Sequence, residues 1–568
     1  MVKIVSVAEM RAIEQAADAA GLSYAQMMDK AGRALADRVL DLLAGRPTTR
    51  IAVLVGPGNN GGDALVGGRL IATESDHQVS FYLSKPRDES DPNFAAVRQA
   101  ELFVADASND QRYRVLKNLI ASSDIIIDGL LGIGFRPPIE GEMEKFMRAV
   151  REVLNAARRE TPHGTYQTPD NPATFSGSSP YVIAVDCPSG LDCDSGALDV
   201  ATLPADETIT FAAVKRGLVT FPGAAAVGTL HVADIGLPEN LPSRDAVPLD
   251  MPTGADIRAR LPALPPDANK GTFGKTMIVA GSLNYTGAAA LAAGAAYRVG
   301  SGLVTVGAPQ PIIPILAGHV PEATWLLLPH DMGVLAEGAA AVLREELNGY
   351  SALLLGPGWG REDVTRDFLC ALLTPESKQQ AARYIGFAPL ATSVQDTSNT
   401  ETPLLPPLVI DADGLNLLSQ VDDWPTLLPA GTILTPHPGE MSRLTGLDRD
   451  QVQANRIDIA IEKARVWNCI VVLKGAHTVI AAPDGRAAVL PFVEPALATA
   501  GTGDVLAGAI VGLLGQGLAP FDAALVGGYV HGLAGKYAAR RLKSARSVTA
   551  GDVLAALPEA LNAVENAV

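Results

Sequence analysis

Short apolar runs alternate with longer amphipathic stretches along most of the chain. Runs of this length predict buried β-strands, and the stretches between them predict helices. Strands that alternate with helices predict a parallel sheet that is covered by helices on both faces. In the first half of the chain, the apolar runs lie at 51–56, 79–83, 124–132, 181–186, 208–218 and 228–238.

The same pattern starts again after residue 252, which indicates a second α/β domain. The segment 239–252 holds prolines and charges without any periodicity, which is typical of a linker. We therefore expect a first domain over 1–240, a linker over 241–252 and a second domain over 253–568. The apolar runs of the second domain lie at 275–281, 303–309, 352–358, 407–414, 432–436 and 469–475.

Some segments fall outside this alternating pattern. The segments 156–180 and 375–403 are polar and rich in turn residues, and we expect them to be loops. The start of the chain reads as a short strand and a helix, without the apolar block of a signal peptide. The longest apolar run, Val505–Gly515, is too short to span a bilayer. No membrane segment is therefore expected.

Composition narrows the classes of function. The 568 residues include 62 Asp and Glu against 45 Lys and Arg, which gives a net charge of −17. This balance argues against binding to nucleic acid or to an anionic membrane. The four cysteines form no CxxC pair, which disfavours a zinc site, and a disulfide scaffold is not expected at this size. These features predict a soluble protein of the reducing cytoplasm.

The strongest chemical signal in the first domain is the segment GPGNNGGDALVGGR, 56–69, which follows a strand and opens a helix. Glycines allow close approach of the backbone, and amides at a helix start can hold an anion such as a pyrophosphate. A lone GxG is more often a tight turn, but Asn59, Asn60 and Asp63 crowd this turn with polar groups. The segment therefore predicts a ligand or ion site.

Polar loops follow two further strands of the first domain, one with Asp128 and one with Asp186 and Ser189. Either aspartate alone would fit a helix N-cap. Because ligands bind at the carboxyl ends of strands in open α/β sheets, the three loops together predict one crevice. Asn60, Asp128 and Ser189 offer hard oxygen ligands for an alkali or alkaline-earth ion. Asp186 is the candidate for proton transfer.

The motifs NNGGD (59–63), DGLLGIG (128–134) and DCPSGLD (186–192) resemble those of the NAD(P)HX epimerase family. That family interconverts the R and S hydrates of the nicotinamide ring of damaged NADH or NADPH. The resemblance implies a Rossmann-like three-layer αβα domain, with a potassium ion held by Asn60, Asp128 and Ser189. The substrate contacts that it implies are Asn59, Asn60, Gly61, Gly62, Asp63, Gly132, Ile133, Gly134, Phe135, Arg136, Pro137, Pro138 and Asp186.

A glycine-rich segment of the second domain, 499–517, opens an apolar helix. The amides of Gly501, Thr502 and Gly503 suit an anion hole at the helix N-terminus. Asp504 suits a base that accepts a proton from a hydroxyl undergoing phosphorylation. A simple helix cap would explain Asp504 but not the glycines that precede it.

Two more loops of the second domain favour a nucleotide site. Lys474, His477 and Thr478 follow a buried strand, where Lys474 suits contact with a phosphate. An exposed lysine at a strand end is a fair alternative for Lys474 alone. His437 stands between two prolines after another strand, close to Glu440, without a second His or Cys at metal-ligand spacing.

These segments, with 269–289, 356–360 and 409–416, resemble the ADP-dependent NAD(P)HX dehydratase family, a branch of the ribokinase-like fold. The resemblance implies a second three-layer αβα domain. The ADP contacts that it implies are Lys474, Gly475, Ala476, His477, Thr478 and Gly503. The substrate contacts that it implies are Ala288, Gly358, His437 and Asp504.

Together the two resemblances imply repair of hydrated NAD(P)H. R and S NAD(P)HX would be epimerised, and the S form would be dehydrated at the expense of ADP, giving NAD(P)H, AMP and phosphate. Asp504 would be the base, and magnesium would offset the phosphate charge. The resemblance also implies a homo-oligomer. The alternative is a ribokinase-like small-molecule kinase with an N-terminal binding module, and the sequence separates neither ADP from ATP nor NADHX from NADPHX.

Overall fold

The computed structural model describes residues 1–159, 180–374 and 405–567. The chain divides into two compact units, Val2–Val247 and Pro248–Val568, the second of which also includes Met1. The predicted linker contains ordered elements, a short helix and a short strand. The short helix closes local backbone hydrogen bonds, such as Ala246 N to Pro242 O, and the strand pairs with Ala487–Val489, although the segment shows no hydrophobic periodicity.

The first unit alternates strands with helices along most of its length. Its elements are β1 (Val2–Val5), α1 (Val7–Ala19), α2 (Tyr24–Leu43), β2 (Arg50–Val55), α3 (Asn59–Glu74), β3 (Gln78–Leu83), α4 (Pro92–Gln99), β4 (Phe103–Asp106), α5 (Arg114–Ser122), β5 (Ile125–Gly129), α6 (Gly141–Arg159), β6 (Tyr181–Val185), β7 (Glu207–Phe211), β8 (Val214–Lys215), β9 (Thr229–Ala233) and α7 (Pro242–Asp245).

Seven strands of the first unit form a parallel sheet in the order β4-β3-β2-β5-β6-β7-β9. β1 and β8 lie outside this sheet and pair with each other in parallel. The chain runs outward from β2 in one direction and from β5 in the other, so the strand order reverses between these two strands. In open α/β sheets, such a reversal opens a crevice beyond the carboxyl ends of the two strands. Apolar cores cover both faces of the sheet, as predicted.

The second unit contains more elements. They are β10 (Leu249–Met251), α8 (Gly254–Arg258), β11 (Lys275–Val279), α9 (Thr286–Arg298), β12 (Leu303–Pro309), α10 (Ile313–His319), β13 (Thr324–Leu328), β14 (His330–Asp331), β15 (Val334–Leu335), α11 (Ala339–Glu346), β16 (Ala352–Leu355), α12 (Asp363–Leu373), β17 (Leu408–Ile410), α13 (Asp413–Leu418), β18 (Ile433–Leu434), α14 (Pro438–Thr445), α15 (Arg449–Ala454), α16 (Arg456–Trp467), β19 (Ile470–Leu473), β20 (Val479–Ala481), β21 (Ala487–Val489), α17 (Thr502–Gly515), α18 (Pro520–Leu542) and α19 (Ala550–Glu565).

The main sheet of the second unit has the order β13-β12-β11-β16-β17-β18-β19-β20-β21-β10. It is parallel except at β20, which pairs antiparallel with both neighbours. The short turns on either side of β20 can join only antiparallel neighbours, and the sequence pattern did not predict this strand. The order reverses between β11 and β16, which again creates a crevice at the carboxyl ends.

The long apolar run of the second unit forms α17, whose residues from Val505 to Gly515 are all buried. Helices α9, α18 and α19 surround it in the core of the unit. Within the described ranges, no helix combines the length and the apolar character needed to cross a bilayer. The two predicted loops lie largely outside the described residues, but α6 continues through Arg159, past the predicted start of the first loop at 156.

Candidate active sites

The reversal of strand order in the first unit brings the loops after β2 and β5 into direct contact. A Cβ on Gly56 would lie 1.8 Å from the carbonyl oxygen of Leu130, so only glycine fits there. Gly56 and Gly61 serve close backbone approach, and none of the glycines between 56 and 62 has a positive φ. Helix α3 begins at Asn59 without a side-chain cap, which leaves its first amides available to a ligand.

Asn60, Asp128 and Ser189 meet in this crevice, as the sequence predicts. Asp128 is fully buried, and its carboxylate accepts hydrogen bonds from Ser189 N at 2.9 Å and Ser189 Oγ at 2.7 Å. Asn60 Nδ2 donates to the carbonyl oxygen of Leu131 at 3.0 Å, and Leu131 N donates to Ser189 Oγ at 2.9 Å. Burial raises the pKa of Asp128 to about 6, although the Ser189 hydrogen bonds oppose this.

One oxygen of this cluster has no partner. Asn60 Oδ1 is fully buried and makes no hydrogen bond within the described part of the chain. A buried acceptor without a donor costs free energy, about 1–3 kcal/mol. A cation would supply the missing interaction. The oxygen atoms of this cluster that could coordinate a cation belong to two neutral side chains and one carboxylate. This set suits a singly charged hard ion.

Asp186 lies just after β6 in the left-handed region of the backbone, with φ of 63°. Lys215 Nζ donates to Asp186 Oδ1 at 2.5 Å, to Thr210 Oγ1 at 2.9 Å and to the carbonyl oxygen of Phe211 at 3.0 Å. Asp186 Oδ1 also accepts from Thr210 Oγ1 and from Phe211 N. Oδ1 is therefore saturated, whereas Oδ2 makes no hydrogen bond among the described residues and is not fully buried.

Two more carboxyl groups face this lysine–aspartate pair. Burial raises the pKa of Asp63 well above its ordinary value, and the charges of Asp186 and Glu14 act in the same direction. The pKa of Glu14 is also raised by burial, which the charge of Lys215 opposes. Asp63 and Glu14 thus hold protons more strongly than exposed carboxyl groups do. The site thus places two carboxyl groups with raised pKa values beside Asp186.

The remaining residues predicted for the first site lie in the loops after β2 and β5. Gly132 packs against Asn60, where an added Cβ would lie 3.1 Å from the Asn60 Cβ. Arg136 is exposed and pairs with Asp194 at 2.6 Å and with Asp192 at 3.5 Å. In the described part of the chain, the side chains of Asn60, Asp128 and Ser189 make no hydrogen bond with the others, which are Asn59, Gly61, Gly62, Ile133, Gly134, Phe135, Pro137 and Pro138.

The second site lies where the loops after β16, β17, β18 and β19 meet the start of α17. Lys474 Nζ donates to Asp411 Oδ1 at 2.6 Å and lies 3.8 Å from Glu440 Oε2. Thr435 Oγ1 also donates to Asp411 Oδ1, at 2.7 Å. Burial opposes the charge on Lys474, but the carboxylates of Asp411 and Glu440 outweigh this effect, so the pKa of Lys474 is raised.

Asp411 Oδ2 is fully buried without a hydrogen-bond partner in the described ranges. A Cβ on Gly503 would lie 3.9 Å from this oxygen and 3.4 Å from Lys474 Nζ. The first turn of α17 is therefore beside the buried lysine–aspartate pair. The helix has no side-chain cap, and its N-cap Gly501 has φ of 89°. Uncapped amides next to a lysine suit the binding of a phosphoryl group.

Asp504 lies in the first turn of α17, in this electrostatic environment. Burial raises its pKa to about 7, and the negative charges of Asp411, Asp413 and Glu440 act in the same direction. Lys474 opposes the shift. A carboxylate that titrates near pH 7 can accept a proton under physiological conditions.

His437 is fixed in one tautomer by its role as the N-cap of α14. Its Nδ1 accepts hydrogen bonds from Gly439 N at 2.9 Å and from Glu440 N at 3.3 Å. The ring proton therefore lies on Nε2, 3.4 Å from Glu440 Oε1. Burial and the charges of Lys474 and Arg443 lower the pKa of His437 to about 4. The half-exposed imidazole is a neutral hydrogen-bond donor.

Gly358 and Ala288 are also brought together. A Cβ on Gly358 would lie 2.8 Å from the Ala288 Cβ, and Gly358 has φ of 67°. The neighbouring Trp359 is fully buried, and its indole N–H donates to the carbonyl oxygen of Val279 at 2.9 Å. Gly358 therefore packs closely against the start of α9, where a larger residue would not fit.

A cavity of about 290 Å³ adjoins this cluster. Most of the predicted nucleotide contacts line it, namely Lys474, Gly475, Ala476, Thr478, Thr502 and Gly503. His477 does not line the cavity. Its ring Nδ1 lies 3.0 Å from the carbonyl oxygen of Leu490, and its backbone N–H donates to the carbonyl oxygen of Phe492. The contact of His477 with a nucleotide stays a prediction.

Comparison with known proteins identifies the family. A family model described as NAD(P)H-hydrate dehydratase matches residues 276–559, and a model described as YjeF-related protein N-terminus matches residues 24–217. The bifunctional NAD(P)H-hydrate repair enzyme Nnr of Moorella thermoacetica is 35% identical over 550 residues, which cover 95% of this chain and 93% of that protein. The chain belongs to the family of bifunctional NAD(P)H-hydrate repair enzymes. Both expected resemblances are thereby confirmed.

The similarity to this repair family extends over nearly the whole chain. The Nnr protein of Thermofilum pendens is 33% identical, covering 99% of this chain and 97% of that protein. A crystal structure of the ADP/ATP-dependent NAD(P)H-hydrate dehydratase from Bacillus subtilis with ATP and Mg²⁺ is 30% identical, with a TM-score of 0.46. It covers 56% of this chain and 100% of that chain.

Sequence reasoning missed several residues of the two repair sites. Lys215 ends the short strand β8 and has the signal of a strand-end lysine, as Lys474 does. Asp411 follows an apolar strand as Asp128 does, but the motif around it was read only as a whole. Glu14 lies in an amphipathic helix, where nothing in the sequence separates it from a solvated residue.

Proposed function

We propose that the chain carries out both steps of NAD(P)H-hydrate repair, with the epimerase site in the first unit and the dehydratase site in the second. The observation that carries the proposal is the presence of two complete polar crevices in one chain, each at a reversal of strand order. A dehydratase restricted to the S hydrate needs a step that converts the R hydrate. The two activities therefore complement each other.

In the epimerase site, Asp186 is proposed to move the proton of the C6 hydroxyl group to N1 while the C6–N1 bond opens to an aldehyde, and to return it when the ring closes on the opposite face. Its Oδ2 is the atom available for this exchange, because Oδ1 is occupied by Lys215, Thr210 and Phe211 N. The loops after β2 and β5 would contact the nucleotide part of the substrate. The uncapped amides of α3 suit its phosphates.

The donor set of the first unit fits a potassium ion. Asn60 Oδ1 is buried without a partner, and Asp128 and Ser189 supply further oxygens. A bound cation would neutralise the buried carboxylate of Asp128 and fix the loop after β5. We propose that these three residues hold potassium there.

In the dehydratase site, Asp504 is proposed to accept the proton of the C6 hydroxyl of the S hydrate while that oxygen takes the β-phosphoryl group of ADP. AMP leaves in this step. Loss of phosphate from C6 and of a proton from C5 then restores the ring double bond and gives NAD(P)H. Lys474 and the amides at the start of α17 would stabilise the charge of the transferring group. His437 would donate to the substrate from Nε2.

Magnesium would supply charge neutralisation at the phosphates. Asp411 Oδ2 fits this ion, because it is a hard, buried oxygen without a partner beside Gly503. We propose ADP as the co-substrate. A homo-oligomeric state and a cytoplasmic location stay predictions.

The test is recovery of the NADH absorbance at 340 nm from a mixture of R and S NADHX, with magnesium, potassium and either ADP or ATP. Complete recovery, faster than spontaneous epimerisation and with AMP formed from ADP, is the expected result. Recovery of only the S share would remove the epimerase from the proposal. A stable phosphorylated product without NADH would instead indicate a small-molecule kinase.

A further inference from the structure

The cavity beside Lys474 and Gly503 extends between α17, α18 and the segment 490–498. Apolar groups form most of its wall, among them Leu490, Phe492 and Leu506. A cavity of this kind suits the nucleoside part of a nucleotide whose phosphates lie at the start of α17. In such a pocket, a few polar groups decide which ligand is accepted.

His531 on α18 is a buried polar residue of this wall, with 7% of its surface exposed. Its Nε2 lies 2.9 Å from the carbonyl oxygen of Thr502. Because a carbonyl oxygen can only accept, the ring proton must lie on Nε2. Burial lowers the pKa of His531 to about 4, so the ring is neutral near pH 7. Nδ1 therefore carries a lone pair.

This lone pair is free to bind a ligand. Within the described part of the chain, Nδ1 makes no hydrogen bond, and this atom is not fully buried. The hydroxyl groups in the same wall are engaged, since Thr478 Oγ1 donates to Gly475 O and Thr502 Oγ1 donates to Leu497 O. The histidine thus offers a fixed acceptor inside the cavity, close to the helix start.

We propose that Nδ1 of His531 accepts a hydrogen bond from the nucleoside part of ADP or ATP and thereby selects the nucleotide. The inference rests on the proposed nucleotide site. Adenosine has two kinds of donor that can serve, the 6-amino group of the base and the hydroxyl groups of the ribose. Inosine carries an oxo group in place of the amino group, which would face the lone pair of Nδ1 with another acceptor.

Calorimetric titration of the full chain with ADP, IDP, 2′-deoxy-ADP and 3′-deoxy-ADP, each with Mg²⁺, tests this assignment. We expect one analogue to bind about tenfold more weakly than ADP, because it leaves the buried acceptor unpaired. Weak binding of IDP would identify the amino group as the donor to Nδ1, and weak binding of 2′-deoxy-ADP or 3′-deoxy-ADP would identify the ribose. The variant His531→Phe should bind ADP about tenfold more weakly and should no longer discriminate between ADP and the analogue. His531→Gln keeps both a donor and an acceptor and should retain it.

Equal binding of all four nucleotides, 3′-deoxy-ADP included, by the wild-type chain would overturn the assignment, and so would discrimination that survives in His531→Phe. Failure of the wild-type chain to bind any nucleotide would instead overturn the nucleotide site, and this assignment with it. Should His531→Phe not fold, the wild-type series with the four nucleotides decides alone.

Discussion

Lys215 Nζ donates all three of its hydrogen bonds inside the first unit, the shortest of them to Asp186 Oδ1 at 2.5 Å. The lysine is 1% exposed. With no N–H left for a substrate, Lys215 acts on Asp186 through charge and orientation. Asp186 itself is held in a left-handed backbone conformation, which is costly for a residue other than glycine and is retained mainly at functional sites.

Lys215→Met should therefore remove the orientation of Asp186 without removing a substrate contact. We expect kcat for epimerisation of R NADHX to fall by about 100-fold or more, the lower end of what a positioned acid–base group contributes. KM should change little. Stopped-flow measurement of R NADHX loss, coupled to an excess of separate dehydratase, gives both constants.

Two controls separate this effect from loss of the fold. Dehydration of S NADHX by the same variant reports on the second unit and should be unchanged. Arg38→Met removes another partly buried ion pair of the first unit, the pair with Glu207, and should retain epimerase activity. An unchanged kcat in Lys215→Met would show that the lysine does not position Asp186.

Potassium should protect the loops that carry Asn60, Asp128 and Ser189. A ligand at 100 times its Kd stabilises the folded state by about 2.7 kcal/mol. We expect slower hydrogen exchange of peptides over 125–133 and 187–191 in KCl than in choline chloride at equal ionic strength. Asp128→Asn should abolish the difference.

The chain offers a matched control and an internal reference for the potassium effect. Asp124→Asn changes the opposite end of the same strand, where the carboxylate accepts from Arg50 N, and should keep the potassium response. All four tryptophans lie in the second unit, so their fluorescence during unfolding should not respond to potassium. Equal exchange in both salts would argue against an ion at this site.

The sequence was sufficient to bring Asn60, Asp128 and Ser189 into one crevice, but not to find the residues around Asp186. Asp128 lies at the end of the apolar strand β5 and Ser189 lies in the loop after β6, and strand ends can be seen in the sequence. Which strands are neighbours is decided by packing, and this order brings Lys215 and Glu14 to Asp186. The antiparallel strand β20 was missed because it has only three residues, too few for a clear apolar pattern.

The pKa of Asp504, raised to about 7 by burial and by neighbouring carboxylates, makes the dehydratase pH-dependent. Since the base must be ionised, kcat/KM should fall below pH 7, by about tenfold per pH unit. The variant Glu440→Gln should show this fall in kcat/KM at a lower pH, because the charge of Glu440 raises the pKa of Asp504. Glutamine can still accept the hydrogen bond that His437 N donates to Glu440 Oε2 at 2.7 Å.

Initial rates of NADH formation from S NADHX between pH 5 and 9 measure the profile, with the pH chosen to span about two units either side of 7. Asp504→Asn should lose about 100-fold or more in kcat at every pH. A profile of Glu440→Gln that coincides with that of the wild-type chain would mean that another group sets the acid limb.

Asp411 Oδ2 is buried and unpaired beside the start of α17, so we expect it to take part in the magnesium dependence of nucleotide binding. Asp411→Asn removes its charge at nearly constant volume. The ratio of ADP affinity in Mg²⁺ to that in EDTA should fall by about tenfold, which corresponds to about 1.4 kcal/mol. Calorimetric titration with and without EDTA measures the ratio.

Asp413→Asn is the matched control, because Asp413 accepts from Gly360 N and has no contact with Lys474. If Asp411→Asn keeps the full magnesium effect, the ion is held by the nucleotide without this carboxylate.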